Sequence, residues 1–475
     1  MNQLLPLRQA AVIALALVPF ANTLADSSDT TVDFGEAYFR LLAASGTIRA
    51  TRLEAEAEKL QAEAAESLGG PSLNLTGAAV RGRTESNLDI SGISSPTNQV
   101  IGRLALAVPA LSSVSLPNTL GSNTVGNSTA TYLGAAYPLY TGGKFQALQE
   151  MTNARAEESA SAARETEGQT VTLLVKRYFS AQLSRRVVAV RSEATLGIAE
   201  HRRMALRFEQ EGQIAKVDRL RADAALANAR REEQKARSDA ELADIALARL
   251  IDSAAKTKLS TPLFVGIDPI DPLEIFVDHA LAHHPAFARI AGRRHQAEAL
   301  HRLDKAQYAP DVVLVGGYQL SHSGIDTLNP VWGVGVVINI KLLDQVDRNR
   351  MLRASTLEEE RADVARQQAM LDISTQVEMY WRAVESARQT YLSMTPSVEL
   401  AVETARLAER GFSEGQATSL DVIDARLQLA KIRTERAQAA YDYDVALAQL
   451  LEASGDSDEF NRYARGANLN VEEIN

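Results

Sequence analysis

The chain of 475 residues has a formal net charge of −10, and 23% of its residues are charged. This charge density excludes a conventional bundle of apolar membrane helices, and the acidic balance argues against a nucleic-acid partner. Only 5% of the residues are aromatic, whereas alanine, leucine, glutamate, arginine and glutamine fill long tracts, a composition that favours long helices.

Residues 1–25 have the pattern of a cleaved signal peptide. Arg8 is basic, an apolar run follows from Gln9 to Phe20, and 23–25 offer the small residues of a cleavage site. The run is shorter than the roughly 20 residues of a membrane-spanning helix; a buried core helix is the alternative. We expect the mature chain to begin at Asp26, and the absence of cysteine excludes an acylated N-terminal cysteine.

The rest of the chain divides into two halves with the same predicted order of elements: helix, strand, loop, strand, very long helix, turn, helix. Similar blocks begin at corresponding places in each half, which is the pattern of an internal duplication. We place the first structural repeat at 26–255, a linker or equatorial segment at 256–284, the second repeat at 285–455 and a polar C-terminal tail at 456–475.

In the first repeat, a helix is predicted from about Phe34 to Leu68, where a Gly-Gly-Pro sequence stops it. Residues 71–82 and 128–140 are predicted strands, because they are dense in glycine, tyrosine and β-branched residues. The intervening residues 83–128 are rich in serine, asparagine, glycine and proline, which predicts a long loop. A short hairpin around Ile101 to Val108 is the one regular element expected there.

A helical pattern without proline then follows Gly142 and Gly143 as far as a turn at Gly212, and a second helix returns from Ile214 to Ile251. At a rise of roughly 1.5 Å per residue, the first of these helices would be about 100 Å long. No globular core is that wide, so this helix must pack along other long helices. The TGGK sequence at 141–144 lacks the rest of a phosphate-binding loop and predicts a strand-to-helix turn.

The second repeat supplies two more predicted strands, at 310–321 and 330–341. Its long helix is expected from Asp344 to Arg410, and Pro396 within it predicts a kink or a local irregularity. The last long helix is expected from Ser419 to Leu451.

Four strands per chain cannot close a barrel, whereas a membrane-inserted sheet must close on itself. Association of two, three or four subunits would give eight, twelve or sixteen strands. Aromatic residues on the predicted strands would suit an interfacial girdle, although aromatics are common in any strand; these are Tyr132, Tyr137, Tyr140, Tyr318 and Trp332.

Several stretches together resemble the TolC family of outer-membrane channel-tunnels. They are YPLYTGGK at 137–144, RFEQEGQIAKVDRLRADAAL at 207–226, and the block from GFSEGQATSLDVIDARLQ to the end of the last helix at 411–455. The resemblance extends from about Asp33 to Gly455 and is weakest in the long loop.

This resemblance implies an internally duplicated α+β membrane protein in the cell outer membrane. Three identical chains would form a twelve-stranded transmembrane β-barrel, with four strands per chain, which continues into a long α-helical tunnel projecting into the periplasm. The tunnel would be the exit duct of a tripartite export system, contacting outer membrane lipid, a periplasmic adaptor (membrane fusion) protein and an inner-membrane ABC or proton-driven pump, in type I protein secretion or multidrug efflux.

A non-pore periplasmic coiled-coil scaffold, in which the apparent strands are only loops, is the alternative. An enzyme is not predicted, because no nucleophile, base and orienting group occur in a recognisable arrangement, and no cofactor is expected.

The resemblance also suggests functional residues at the two helical hairpin tips. Gly212 and Gly415 match the tip glycines that contact the adaptor, and Asp421 and Asp424 match two aspartates that ring the tunnel entrance. Residues three apart share a helix face, so three copies would bring six carboxylates around one axis, where they would attract cations and raise some of the carboxyl pKa values. The alternative is that Asp421 only stabilises the first helical turn after an N-cap Ser419.

The first tip carries Asp218 and Arg221 at the places that correspond to Asp421 and Asp424. The arginine replaces the second carboxylate, so helix capping is the favoured role of Asp218. Only the second tip is therefore expected to build an acidic constriction.

The second tip departs from the family pattern in its latch. Phe412 and Ala417 stand where family members often carry a tyrosine and an arginine, so that hydrogen-bonded latch cannot form. Either other groups close the constriction, with Arg207, Arg219 and Arg221 as candidates, or the resting state is looser.

His279 and His283 are four residues apart, a spacing that can hold a metal on one helix face. No cysteine supports a metal site, and the Pro285 that follows His284 predicts the start of a helix instead. We predict no metal site.

Overall fold

The computed structural model describes residues 31–85, 100–101, 123–253, 257–323, 331–342, 345–466 and 469–470. The signal peptide predicted at 1–25 lies outside these residues, as does most of the long loop, including 102–108 of its expected hairpin. Val100 and Ile101, at the start of that expected hairpin, are helical.

The first predicted helix is two helices, α1 (Phe34–Ala44) and α2 (Gly46–Ala65). Ser45 separates them, because its backbone is extended and its hydroxyl accepts a hydrogen bond from the amide of Ile48 at 3.3 Å. The prediction of a single helix continuing to Leu68 is therefore wrong.

Four long strands form one antiparallel sheet in which the spatial order equals the chain order. They are β1 (Ser72–Glu85), β2 (Asn123–Tyr140), β3 (Asp311–Ser323) and β4 (Trp332–Asn339). All four predicted strands are confirmed, but β1 and β2 extend into the stretch predicted as loop from residue 83. The outer edges of β1 and β4 pair with no other strand of the described chain.

One face of this sheet is apolar and exposed. Residues paired directly across antiparallel strands point to the same face, and Trp332 pairs with Tyr318, which pairs with Leu133, which pairs with Leu75. Trp332 is 68% exposed and Leu75 is 67% exposed. The same face carries further exposed apolar side chains, namely Leu73, Tyr137, Tyr140, Leu314, Val334, Val336 and Ile338.

The opposite face of the sheet is covered in part. Ala136 and Val313 are buried there against Ile101, with Val315 and Val337 beside them. Of the five aromatic residues considered for a girdle, only Tyr132 is out of phase with the exposed face, because neighbouring strand residues alternate in direction.

The sheet leads directly into a long helical hairpin. Gly142 and Gly143 have φ angles of 66° and 89°, a left-handed conformation that favours glycine, and they form the predicted strand-to-helix turn. Helix α3 (Lys144–Gln210) follows and has 67 residues, so it is about 100 Å long. Helix α4 (Lys216–Leu250) packs back along it, as predicted.

The second half repeats this order of elements. Helices α5 (Leu273–His283) and α6 (Pro285–Ala306) precede β3, and α7 (Arg348–Ser393), α8 (Thr395–Ser413) and α9 (Ser419–Ser454) follow β4. The break between α7 and α8 falls at Met394, two residues before Pro396, which has no amide hydrogen to donate. The predicted irregularity is confirmed. Among the described helices, none is long and apolar enough to cross a membrane.

An aromatic core holds the long helices together near their middle. Phe34, Tyr178, Phe179, Phe264 and Phe460 are all buried and in contact, with ring centroids of Phe34 and Phe460 4.9 Å apart. Two short strand pairs flank it: residues 31–32 run parallel to 258–259, and 264–265 run antiparallel to 469–470.

The C-terminal segment contributes to this core. Residues 457–459 form a 3₁₀ turn and 460–466 form helix α10, in which Phe460 is 1% exposed. Part of the segment predicted as a polar tail from residue 456 therefore packs into the core, through Phe460 with Tyr463 and Ala464 beside it.

Asp444 of α9 is a fully buried carboxyl group in the same core. Within the described part of the chain, neither of its carboxylate oxygens makes a hydrogen bond of normal geometry. Burial raises the pKa of Asp444 well above its usual range, and the nearby backbone amide of Phe264 offsets only part of this effect. Burial therefore favours the neutral, protonated form of this carboxyl group.

We predict that Asp444→Asn becomes progressively more stable than wild type as the pH rises above about 4. The unfolded carboxyl ionises near pH 3.9 whereas the folded one stays protonated, so wild type loses stability as pH rises toward the raised folded pKa, and asparagine does not. Thermal unfolding followed by circular dichroism at about pH 4.5, 6 and 8 measures this. Asp442→Asn, exposed on the same helix, is the control, and a pH-independent difference would contradict the assignment.

Candidate functional site at the hairpin tips

The two helical hairpins end in the same turn. Gly212 has a φ angle of 73°, and the amide of Gln213 donates to the carbonyl of Phe208 at 2.7 Å, closing the end of α3. Gly415, with a φ angle of 76°, repeats this arrangement at the end of α8. Since side chains with a Cβ rarely adopt this conformation, the two glycines define the tips.

The second tip is capped by Thr418. Its hydroxyl accepts from the amide of Asp421 at 3.3 Å, and the Asp421 carboxylate accepts from the amide of Thr418 at 2.7 Å, which together form a capping box. The prediction of Ser419 as the N-cap is wrong by one residue, because Ser419 is turned into the protein. The Thr418 hydroxyl, followed by its amide, lowers the pKa of Asp421 below its ordinary value.

Asp421 and Asp424 are both exposed, whereas Val422, Ile423 and Ala425 between and beside them are buried. The two carboxylates thus lie on the solvent side of the same helical turn. No cation of the described chain lies within ion-pair distance of Asp424. One chain therefore presents two uncompensated negative charges at the start of α9.

The first tip has no such excess of negative charge. Arg221 donates to the carboxylate of Asp218 at 3.2 Å, and Arg219 pairs with Glu209 at 2.6 Å and also with Asp223. Two of the arginines considered as latch residues are therefore engaged within their own hairpin. Helix α4 has Ala215 as its N-cap, with no side-chain cap.

Phe412 does not share the exposed face of the two aspartates. It is 2% exposed, its ring stacks on Phe208 at 5.4 Å and meets the ring of His201 edge-on at 4.6 Å. Ala417 packs against the same cluster. The residues that replace the family latch thus fill an apolar contact between the two tips.

A buried polar contact joins the tips as well, and nothing in the sequence pattern indicated it. The Nε2 atom of His201 in α3 lies 2.7 Å from the Ser419 hydroxyl in α9, and both side chains are buried. Burial, and next the positive charge of Arg426, lower the pKa of His201 to about 4. The partners are far apart in the sequence, so no local spacing could reveal the pair.

The histidines considered for a metal have structural partners. His284 caps α6 by accepting from the amide of Ala286 at 3.1 Å, next to Pro285 as predicted, and His279 lies 2.7 Å from the Asp456 carboxylate. Among the described residues, no group of three histidine or acidic side chains is arranged to hold a metal ion.

Comparison with known proteins identifies relatives of this architecture. A family model described as outer membrane efflux protein matches residues 37–252 and 276–456. The chain is similar in fold to the outer-membrane channel OprN, with a TM-score of 0.74, 16% sequence identity, and coverage of 89% of this chain and 90% of that one. The comparison with curated protein sequences found no match.

Two further solved structures have the same fold. The Campylobacter jejuni CmeC outer membrane channel gives a TM-score of 0.73 at 14% identity, covering 98% of both chains. The open state of the Neisseria gonorrhoeae MtrE outer membrane channel gives 0.71 at 18% identity, covering 95% of this chain and 98% of that one.

The capping box generates a prediction that separates the roles of the two aspartates. Thr418→Ala should remove about 1 kcal/mol from the first turn of α9 and speed hydrogen exchange of the Asp421 amide about fivefold, whereas Asp424→Ala should leave that exchange unchanged. Hydrogen exchange on the folded protein, read by mass spectrometry on overlapping peptides that resolve Asp421, measures this. Thr418→Ser keeps the hydroxyl and is the control, and equal exchange in Thr418→Ala and wild type would contradict the cap.

Proposed function

Because this chain belongs to the outer membrane efflux protein family, we propose that three copies form the exit duct of a tripartite export system. The resemblance to TolC channel-tunnels is confirmed by the family match and by the fold of OprN and CmeC. The protein is located in the outer membrane, with its helical part in the periplasm. The duct carries substrates outward from an inner-membrane pump and a periplasmic adaptor.

The single observation that carries the proposal is the exposed apolar face of the four-stranded sheet. A row such as Trp332, Tyr318, Leu133 and Leu75 would be costly in water but suits lipid. The outer edges of β1 and β4 also need partners, since lipid cannot satisfy backbone hydrogen bonds. Three copies joined edge to edge form a closed barrel of twelve strands.

The helices support the same assembly. Leu357, Val364 and Leu371 are seven residues apart on α7 and are 55%, 64% and 65% exposed. Leu53 and Leu60 on α2 have the same spacing and are 55% and 58% exposed. Apolar residues at seven-residue spacing form a coiled-coil seam, so we assign these two stripes to contacts between neighbouring copies. The helices then enclose a tunnel about 100 Å long.

The hairpin tips form the periplasmic end of the duct. Asp421 and Asp424 of three copies supply six carboxylates to one ring, which selects cations. Asp218 and Arg221 compensate each other in charge and contribute little to that selectivity. Phe412 packs the second tip onto the first, and the turns at Gly212 and Gly415 contact the adaptor.

We infer that the pump is an ABC exporter or a proton-driven transporter and that the cargo is a secreted protein or a small molecule. The charges of the tips fit either class of cargo. A cation-selective ring acts on ions, whereas the passage of a larger cargo depends on how far the tips open. Copurification of the cross-linked complex from cells identifies the pump by its mass.

The seam on α7 predicts a change in oligomeric state. Val364→Lys places a charge in the proposed contact and should convert trimers to monomers in detergent, whereas Ala365→Lys, exposed on the same helix outside the seam, should leave trimers intact. Mass photometry and the heat-sensitive mobility of the trimer measure this. Trimers that persist in Val364→Lys contradict the seam, and release of wild type from the periplasm without detergent would contradict the duct and favour a scaffold.

The proposed acidic ring predicts the ion selectivity of the pore and its block by multivalent cations. In planar bilayers, Asp421→Ala combined with Asp424→Ala should reduce cation selectivity, seen as a reversal potential closer to zero in a salt gradient, and should weaken block by multivalent cations. Asp218→Ala removes a carboxylate of the first tip and should change both properties much less. Unchanged selectivity in the double variant removes the ring assignment.

A further inference from the structure

We propose that His201 and Ser419 form a proton-sensitive clamp that holds the second hairpin tip on the first and releases it when the surrounding solution is acidified. The clamp would regulate the periplasmic entrance. That consequence rests on the proposed duct, whereas the clamp itself is a property of one folded chain.

The contact joins elements from both halves of the protein. His201 belongs to α3 of the first hairpin, is 2% exposed, and lies one helical turn from Ala205 in the apolar cluster between the tips. Ser419, at the first turn of α9, is 1% exposed. The His201–Ser419 hydrogen bond of 2.7 Å therefore ties the start of α9 to α3 beside the Phe412 ring.

The positions of the hydrogen-bond partners indicate which ring nitrogen of His201 carries the proton. The Nδ1 atom of His201 is buried and has no hydrogen-bond partner, while the Ser419 hydroxyl lies 3.4 Å from the carbonyl of Asp218. If His201 donates from Nε2 to the Ser419 hydroxyl and that hydroxyl donates to the carbonyl, no buried N–H group is left unpaired. This arrangement needs a neutral imidazole with an unprotonated Nδ1.

Adding a proton to Nδ1 is costly in this place. The new N–H would have no acceptor, and the imidazolium would face the guanidinium of Arg426 from α9. Arg426 pairs with Glu409 of α8, and the Asp218 carboxylate of α4 is engaged by Arg221. The carboxylates of Asp218 and Glu409 are therefore engaged by arginines, and those of Asp421 and Asp424 lie on the exposed face of α9.

Gly197 provides the space in which the Arg426 guanidinium packs against α3. A Cβ atom there would lie 2.7 Å from the guanidinium carbon of Arg426, so the absence of a side chain lets Arg426 pack against α3 one turn from His201. The positive charge is thus part of the contact between the two hairpins.

The direction of the pH effect follows from the two pKa values of His201. In the closed tip the pKa is about 4, and in an opened, hydrated tip it returns toward 6.5. Both forms are neutral above pH 6.5, but below it the opened form takes up a proton and the closed form does not. The ratio of opened to closed tips therefore rises as pH falls from 6.5 to about 4, by at most about 300-fold.

The absence of cysteine permits a direct test on the full-length trimer. Gln213→Cys and Gln416→Cys place one spin label on each exposed tip, and chains so labelled are diluted with unlabelled chains so that most trimers carry one labelled copy. Pulsed electron paramagnetic resonance then gives the distance between the two spin labels, one on each tip, at pH 7.5, 6, 5 and 4.5. We expect one narrow distance at pH 7.5 that broadens and lengthens as the pH falls below 6.5.

His201→Gln keeps a donor for Ser419 but cannot titrate, so its distance should not change with pH, while His295→Gln, at an exposed histidine, should respond like wild type. An unchanged distance in wild type, or an equal acid response in His201→Gln, overturns the clamp. If the two tips are already apart in His201→Gln at pH 7.5, Arg426→Gln provides the test. Loss of the guanidinium raises the pKa of His201 in the closed tip, so the distance between the tips must change less with acidification than in wild type. Failure of trimers to form or conduct contradicts the duct instead, since the tip distance needs neither conductance nor an adaptor.

Discussion

An apolar sheet face that one chain cannot cover is the constraint on which the rest of this structure depends. Trp332 and Leu75 lie at opposite edges of the same row, and both are more than half exposed. Neither edge of the sheet is paired within the described chain. In the proposed trimer, lipid would cover the apolar face and identical copies would pair with the two edges. The helices of the proposed trimer would have the same symmetry as its sheet, because each pair of strands leads into a helical hairpin.

The aromatic core near the middle of the helices fixes the positions of the helices relative to one another. Helix α3 is too long to be stabilised by a single globular core, so it needs lateral contacts along its length. Phe34, Phe264 and Phe460 bring the N-terminal segment, the linker and the C-terminal helix onto Tyr178 and Phe179 of α3. The Tyr178 hydroxyl also donates to the carbonyl of Val32 at 2.9 Å. This band fixes the helices between the sheet and the tips.

The elements that local sequence dictates were predictable. The 67-residue α3 follows from the absence of proline between two glycine turns, and Pro396 marks the break between α7 and α8. What could not be predicted depends on contacts between distant segments. Phe460 looks like part of a polar tail until its partners are known, and Ser419 looks like an N-cap until His201 is seen beside it. At the tips, the sequence indicated the glycine turns and the acidic residues of α9, but it did not indicate which side chains face inward.

The two kinds of titratable group at the tips respond to pH in different ranges. The Asp421 carboxyl is bonded to Thr418, which lowers its pKa within the chain, so acidification to about pH 5 leaves it charged unless neighbouring copies raise the pKa strongly. His201 would take up a proton from pH 6.5 downward once its contact opens. In the proposed duct, the charge of Asp421 at the entrance would therefore persist while the contact between His201 and Ser419 weakens. The proposed proton-sensitive contact lies between the hairpins, where His201 meets Phe412 and Ser419, whereas the proposed ionic selectivity would depend on Asp421 and Asp424 on the exposed face of α9.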